Sequence, residues 1–578
     1  LMRCIFTKFA EDIQLLPAHA FTKKLEQWRE HPDKLAPALE TLWREMDKGG
    51  YSAVLDEVLL RFNGGLFRST HVYPLKKMQI EWLLDAAKAD WCDVEPAIFG
   101  TLLERALDPD ERHALGAHFT PRAYVERLVF PTVIEPLREE WEQTKIAAAT
   151  LVSKDAKDSH KKVIALVRGF HEKLCTTRVL DPACGTGNFL YVTLEHMKRL
   201  EGEVLDFLEL LGEPRRLALT GGSGLHTVDP HQFLGIEVNP RAAVIAELVL
   251  WIGYLQWHYR TFGASEWPEP VLREFKNIER RDAILAWDGE PELVRDEVTG
   301  APVTRWDGKS VKKHPVTGED VPDEAKTMVV YRYQNPRKAE WPAAEYVVGN
   351  PPFLGKLHLA RDLGDGYLDA LRQAYAGDVP GGADLVMYWW ARSAELVTCG
   401  NLKRFGFVTT NSITQAFNRR VVADALERGM HLALGIPDHP WVESAGGAAV
   451  RIAMTVGAPG AGTGVLALVA SEEPQGDVVD VSFRHRQGEI NADLRAGTNI
   501  LSALPLRSNA GVASMGPMVG SRGFVGDAVT RTALLQGSGA AFERRILPLR
   551  NGKDLVDRSR GLFVIDVDDL PEGALQLG

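Results

Sequence analysis

Residues 178–200 restrict the fold of this chain more than any other stretch. A short apolar run, Arg178-Val-Leu180, leads into Asp181-Pro-Ala-Cys-Gly-Thr-Gly-Asn-Phe189, and an amphipathic segment, Phe189–Leu200, follows. The run reads as a strand, the segment as a helix, and Gly185 and Gly187 let the connecting backbone turn tightly and approach a ligand closely. A glycine loop between a strand and a helix is where doubly wound sheets hold nucleotides. Alone, such a turn is more often plain structure.

The surrounding pattern agrees with that unit. From about 116 to 460, short β-branched or apolar runs alternate with longer amphipathic stretches, which predicts an α/β domain with a parallel sheet. Strands are expected at Arg178–Leu180, Phe233–Ile236, Tyr346–Val348 and Phe405–Val408, and helices at Phe189–Leu200, Pro240–Gln256 and Asp384–Val397. Closely spaced turns at Asp288-Gly, Thr299-Gly, Asp307-Gly and Thr317-Gly mark an insertion from about 286 to 343. Residues 1–115 read as mostly helical, with apolar positions at Ile5-Phe6-Phe9-Ile13-Leu16 and Leu35-Leu39-Leu42-Met46, punctuated by Asn63-Gly-Gly65 and Tyr73-Pro74. Beyond Gly457, a loop-rich connection is expected over 458–540, and β-structure that has only begun over 541–578. No internal repeat is visible.

Composition narrows the setting. A chain of 578 residues needs more than one ordinary core. The five cysteines (Cys4, Cys92, Cys175, Cys184, Cys399) are scattered without metal spacing, which predicts a reducing, cytoplasmic environment and no metal site. No apolar run reaches the roughly 18 residues of a membrane span. The net charge of −11 gives no general basic footprint, yet a local basic cleft on a large protein suffices to bind nucleic acid. The first residue is not Met, and the chain stops soon after a strand-like run, so it reads as a fragment, at least at its C-terminal end.

Two acids extend the glycine-loop reading. Glu237 ends the Phe233–Ile236 strand, where a carboxylate can hold both hydroxyls of a ribose. Asn239 and Pro240 then suit a helix cap and first turn. Asp282, closing Asn277-Ile-Glu-Arg-Arg-Asp282, can accept from an adenine amino group. Each acid alone would pass for a solvated strand end. The interval from Gly187 to Glu237 is about twice the usual ~20 residues, which points to an excursion over Leu211–Asp229. Upstream, Gly116-Ala-His-Phe-Thr-Pro121 predicts a turn into a helix, with Thr120 as its cap and Pro121 at its first position.

The second chemical loop is Tyr346-Val-Val-Gly-Asn-Pro-Pro-Phe353. Successive prolines remove N–H donors and stiffen the backbone, leaving the carbonyls of Asn350 and Pro351 for a pocket. An exocyclic amine carries two N–H donors, and the Asn350 side-chain oxygen with the Pro351 carbonyl can accept both. That draws the nitrogen towards tetrahedral geometry and frees its lone pair to attack a sulfonium methyl without a strong base. Phe353 then stacks on a base rotated out of a duplex.

In this order, the residues resemble the gamma class of adenine-N6 DNA methyltransferases over about 90–455. Farther out, the helical start, Asn63-Gly-Gly-Leu-Phe67, Glu95–Arg122 and Asn551-Gly-Lys-Asp554 resemble MmeI-type restriction–modification enzymes. The resemblance implies a Rossmann-like class I methyltransferase domain over 116–457, preceded by a helical spacer and followed by the start of a β-containing target-recognition domain. It implies S-adenosylmethionine as methyl donor, no metal for methylation, and duplex DNA as partner, with a nuclease domain or defence-complex subunits as further partners. Carried over, Thr120, Asp181, Ala183, Gly185, Gly187, Phe189, Glu237 and Asp282 contact the cofactor. Asn350, Pro351, Pro352 and Phe353 form the catalytic loop. Trp441 is either the second face of a base sandwich or a core aromatic. Asp384-Leu385 with Tyr388-Trp-Trp390 resembles the motif after the catalytic loop, but a helical aromatic row is core and receives no chemistry. Glu274-Phe-Lys276 and Glu324-Ala-Lys326 fit a nuclease tripeptide only by chance spacing. Two other functions stay open: methylation of a protein glutamine or an RNA guanine, and a catalytically idle recognition subunit of a defence complex.

Overall fold

The computed structural model describes residues 2–62, 66–68, 70–98, 120–152, 159–214, 227–263, 276–308, 310–313, 320–323, 325–441, 451–475, 478–497, 506–509, 525–537, 543–550, 554 and 560–566. Asn63–Gly65, Gly116–Phe119, Glu274, Phe275, Thr317, Gly318, Glu324 and Asn551–Lys553, singled out above, lie outside the described residues.

Nine strands build one sheet: β1 Val179–Asp181, β2 Phe233–Ile236, β3 Ile278–Glu279, β4 Tyr346–Gly349, β5 Arg404–Thr410, β6 Met430–Pro440, β7 Arg451–Pro459, β8 Gly464–Gln475 and β9 Val478–Gly488. Their order is β3-β2-β1-β4-β5-β7-β6-β8-β9. From β3 to β5 all neighbours are parallel, and β7 runs antiparallel between β5 and β6. The chain leaves β1 towards β3 on one side and resumes at β4 on the other, so a crevice opens at the carboxyl ends of β1 and β4.

Burial explains why these short runs become strands. Every residue of β1, β2 and β4 is buried, as in a sheet covered on both faces. Side chains alternate between two cores: Val179, Phe233, Tyr346 and Val348 enter one, Leu180, Leu234 and Val347 the other. The first core is closed by α5 (Arg122–Val129), α6 (Glu135–Val152), α7 (Ser159–Thr176), α8 (Asn188–Leu210) and α9 (Pro240–Phe262). It continues into the N-terminal helices α1 (Met2–Asp12), α2 (Ala20–Glu30), α3 (Pro32–Lys48) and α4 (Lys77–Ala87). The second core is closed by α10 (Lys356–Leu363), α11 (Asp365–Ala374), α12 (Val386–Thr398) and α13 (Ala416–Glu427). Asn239 caps α9 through its side-chain oxygen, which accepts from the amides of Arg241 and Ala242. Part of the long Gly187–Glu237 interval is helix, because α8 runs on to Leu210.

Three expectations change. Residues 464–488 are not a loop-rich connection but the long hairpin of β8 and β9, and the compact unit extends through Thr498. Of the glycines at 457–464 only Gly460, at φ 77°, marks a turn; Gly457, Gly462 and Gly464 serve close packing. A Cβ on Gly457, at the end of the β5–β7 pairing opposite Phe405, would overlap the Phe405 ring. Thr120 does not cap α5, which starts at Arg122, because Pro121 is still extended at ψ 141° and the Thr120 hydroxyl is engaged elsewhere. The second unit, Asn499–Gly578, begins earlier than residue 541; it contains α14 (Ala528–Gly537) and a small sheet of Val525–Gly526, Phe563–Ile565 and Ile546–Pro548. Within the insertion, Leu285–Leu293 pairs with Tyr331–Lys338, apart from the main sheet. Among the described residues no helix is long and apolar enough to cross a membrane.

Candidate active site

The glycine loop leaves β1 and is tied to the end of β2. Gly185 and Gly187 adopt φ of 53° and 83°, a region that side chains with a Cβ rarely enter. Gly187 also lets α9 approach, since a Cβ there would lie 3.0 Å from the Ala246 Cα. Around Gly185, by contrast, nothing among the described residues lies within 4 Å of that position, so the loop presents open backbone to a ligand. The Gly185 amide donates to Glu237 Oε2 at 2.9 Å, and the Asn239 amide to Oε1 at 2.8 Å. Burial raises the Glu237 carboxyl, while these amides work the other way.

Asp181 lies beneath the loop, 1% exposed, its Oδ1 accepting from the Ala183 amide at 3.1 Å. Burial pushes its carboxyl up to about 8, against the pull of that amide. Gly349 of β4 is pressed onto the same carboxyl, where any Cβ would overlap Oδ1. Asp181 thus sits at the junction of the two loops. Phe189, expected at the cofactor, is 3% exposed and gives its ring to the first core.

Asp282 follows β3. Its Oδ1 accepts from the amides of Ile284 (2.8 Å) and Leu285 (2.9 Å), and its Oδ2 from the Tyr367 hydroxyl at 2.6 Å. Burial, then Asp282, pushes the Tyr367 phenol well above its ordinary range, so it stays a donor.

The catalytic loop leaves β4. Asn350 donates its Nδ2 to the Thr120 hydroxyl at 2.9 Å, whereas its Oδ1 is buried and has no hydrogen-bond partner among the described residues. Leu354 O accepts from the Leu385 amide at 3.0 Å, which anchors the loop's exit to the start of α12. Phe353 and Trp441 meet with ring centroids 6.1 Å apart at 80°. A base between parallel rings needs two stacking gaps of about 3.5 Å each, so in this arrangement the rings touch edge to face and do not form a sandwich. Trp441 is 8% exposed and packed on Tyr124. Its strand end is pinned by α5: Tyr124 donates to Pro440 O at 2.9 Å, and Arg127 contacts His439 Nε2 at 2.8 Å. Burial pushes His439 down to about 4, so it is neutral, accepts from Arg127 and donates from Nδ1 to Pro440 O.

Sequence reasoning missed three residues here. Asn188 donates to the Thr120 carbonyl at 2.7 Å and keeps its own buried Oδ1 without a partner among the described residues. Its place directly after Gly187 was the available signal. Tyr367 had none. Trp389, set aside as core, donates from Nε1 to the Pro182 carbonyl at 3.0 Å and so holds the glycine loop from α12.

A further buried polar cluster joins α7 to α8. His171 Nε2, Cys175 Sγ and Glu201 Oε1 lie 3.1 to 3.7 Å apart, a grouping of metal-ligand type. Glu201 Oε2, however, already holds the Lys198 ammonium at 2.8 Å and the Thr227 hydroxyl at 3.1 Å, so one negative and one positive charge cancel. The cluster is complete as a packing network.

A glycine loop and two acids at the carboxyl ends of a doubly wound sheet define a Rossmann-like class I methyltransferase fold. Comparison with known proteins carries this to a family. Residues 153–465 match the model described as MmeI, DNA-methyltransferase domain, and residues 1–67 that described as MmeI, helicase spacer domain. The chain belongs to the MmeI DNA-methyltransferase family. DNA methyltransferase A of Bacillus subtilis (strain 168) is 24% identical over 518 residues, 87% of this chain and 50% of the relative. The chain therefore spans half the length of that curated relative. Among solved structures, the Type IIL restriction–modification enzyme MmeI in complex with DNA is similar in fold, with a TM-score of 0.60 at 22% identity over 100% of this chain and 68% of that one.

Proposed function

We propose that the protein transfers a methyl group from S-adenosylmethionine to N6 of an adenine flipped out of duplex DNA, with no covalent intermediate. The observation that carries the reading is the buried Asn350 Oδ1, an acceptor without a donor among the described residues, at the end of the strand beside the glycine loop. A buried acceptor is left open where a ligand supplies the donor. The amine of adenine is such a donor, and the family's named substrate makes DNA its source.

The residues suit the cofactor: open backbone at Gly185 fits close approach, and Glu237, held by two amides, keeps lone pairs for hydroxyl donors. Gly185, Gly187, Ala183 and Glu237 would hold it, with Asp181 shaping the loop from below and Asp282 facing its base. When bound, the cofactor supplies an electrophilic sulfonium methyl. Asn350 Oδ1 and the Pro351 carbonyl accept the two N–H groups of the amine, and Pro352 keeps the loop stiff. Phe353 stacks on the base, and movement of Trp441 away from it would make room. The amine's proton leaves to solvent after transfer.

Incubation with labelled cofactor and, separately, duplex DNA, RNA and protein tests the reading. Label in N6-methyladenine of DNA, abolished by Asn350→Ala, is expected. Label only in protein glutamine or RNA guanine would move the function to that acceptor. Cofactor binding without turnover on any of them would make the chain a recognition subunit.

A further inference from the structure

We infer that Thr120 is a positioning residue for the catalytic amide, acting on the transfer step, and that Asn188 holds it in place. The inference rests on the proposed reading of Asn350 and goes beyond it. Thr120 is 5% exposed and has both of its polar oxygens committed to asparagines: Oγ1 to Asn350 Nδ2 at 2.9 Å, and the carbonyl to Asn188 Nδ2 at 2.7 Å. The hydroxyl is not spent on capping α5, whose first residue is Arg122.

An asparagine amide is nearly symmetric in shape and opposite in chemistry at its two ends. Presented to an amine by its NH2, Asn350 would set donor against donor; presented by its oxygen, it accepts. Something must therefore select the end. Thr120 Oγ1 takes the NH2 and leaves Oδ1 to the pocket; because a hydroxyl can also donate, the choice between the two ends falls to what the far end of the amide would lack. The reverse arrangement would bury two N–H groups without an acceptor, a larger penalty than one open oxygen. Asn188 is unambiguous: a carbonyl only accepts, so Asn188 must give its NH2 to Thr120, and its own oxygen has no partner among the described residues. Asn188 is the first residue of α8, directly after Gly187. The glycine loop and the catalytic amide are thereby joined through one residue 230 positions away from Asn350 in the chain.

This separates two roles for Thr120. As a cofactor contact, its loss would raise the dissociation constant for S-adenosylmethionine. As a positioning residue, its loss lowers kcat and leaves that constant alone. Thr120→Val keeps the volume and removes the oxygen. Turnover on DNA is expected to fall about 10- to 100-fold, with cofactor binding by calorimetry within about twofold and the melting midpoint retained. Thr120→Ser, which keeps the hydroxyl, restores turnover. Thr120→Val in an Asn350→Ala background costs nothing further, because the group it positions is gone. Asn188→Ala shows the same split, less deeply. Should Thr120→Val not fold, Thr120→Ala reads the same split. Weakened cofactor binding with an unchanged single-turnover rate overturns the inference while the methyltransferase reading stands. A wild-type protein that binds cofactor but methylates no acceptor removes that reading, and the inference with it. Transfer to a different amine keeps the inference, tested with that acceptor.

Discussion

Helix α8 carries two buried polar clusters, and they are built to opposite rules. At its first residue, Asn188 joins Thr120 and Asn350, and two amide oxygens are left without donors among the described residues. Roughly three turns on, Lys198 and Glu201 join His171, Cys175, Thr227 and the Val228 amide, and Glu201 is saturated at both oxygens. Lys198 further rests on the Trp257 ring, 3.4 Å from its centroid. Burial works against the Glu201 carboxyl, yet Lys198 and His171 hold it below its ordinary range. The difference teaches how to read a buried polar group. A closed network contributes stability and a unique packing, whereas an open one awaits a partner from outside.

The sharpest break of this comparison is Glu201→Ala. It leaves the Lys198 ammonium buried and uncompensated, and destabilisation of about 3–5 kcal/mol is expected in denaturant unfolding. Protein that remains folded should keep its turnover; a loss of activity at unchanged stability would erase the distinction. Next in size is Asn350→Ala, for which a 10²- to 10³-fold fall in kcat, roughly 2.7–4 kcal/mol, is expected with no change of melting midpoint. A large loss of stability there would class Asn350 with the closed network.

Smaller effects sharpen the picture around the open cluster. His439, which orients the strand end carrying Trp441, has its folded value at about 4, below the ordinary 6.5. Above pH 6.5 both states are neutral and the native contact is fully favourable. Between 6.5 and 4 the unfolded chain takes up a proton first, so stability falls as pH falls, by about 1–2 kcal/mol at pH 5. Comparing unfolding at pH 7 and pH 5 for wild type and His439→Gln isolates this share, which the variant should lack. The smallest effect belongs to Tyr367→Phe. Removing the donor to Asp282 should weaken cofactor binding about fivefold with kcat intact. A fall in kcat instead would place Tyr367 with the catalytic loop.

Much of this was legible in the chain. The four expected strands lie in the sheet at or within two residues of their expected ends, because an apolar run flanked by turn residues is a local signal. Both loops were readable for the same reason, since Gly185, Gly187, Asn350 and the prolines act through their own backbone. What was illegible depends on contacts that cross the fold. Tyr367 reaches Asp282 over 85 residues, and Trp389 reaches Pro182 over 207. The glycines of 457–464 carried a mixed local signal: the sequence cannot tell Gly460, which turns the chain, from Gly457, which admits the Phe405 ring.

By itself, the sequence determined which backbone segments can bend around a ligand and which donors and acceptors they carry, since composition and covalent geometry settle both. Only the tertiary structure decided which of those groups are already spoken for. Thr120 is a plausible helix cap in the chain and the holder of Asn350 in the fold. Asp181 is an ordinary acid in the chain, and a carboxyl raised to about 8 once β4 closes over it. The reason is desolvation. A polar group's free energy depends on what replaces its water, and that is known only when distant segments have packed around it.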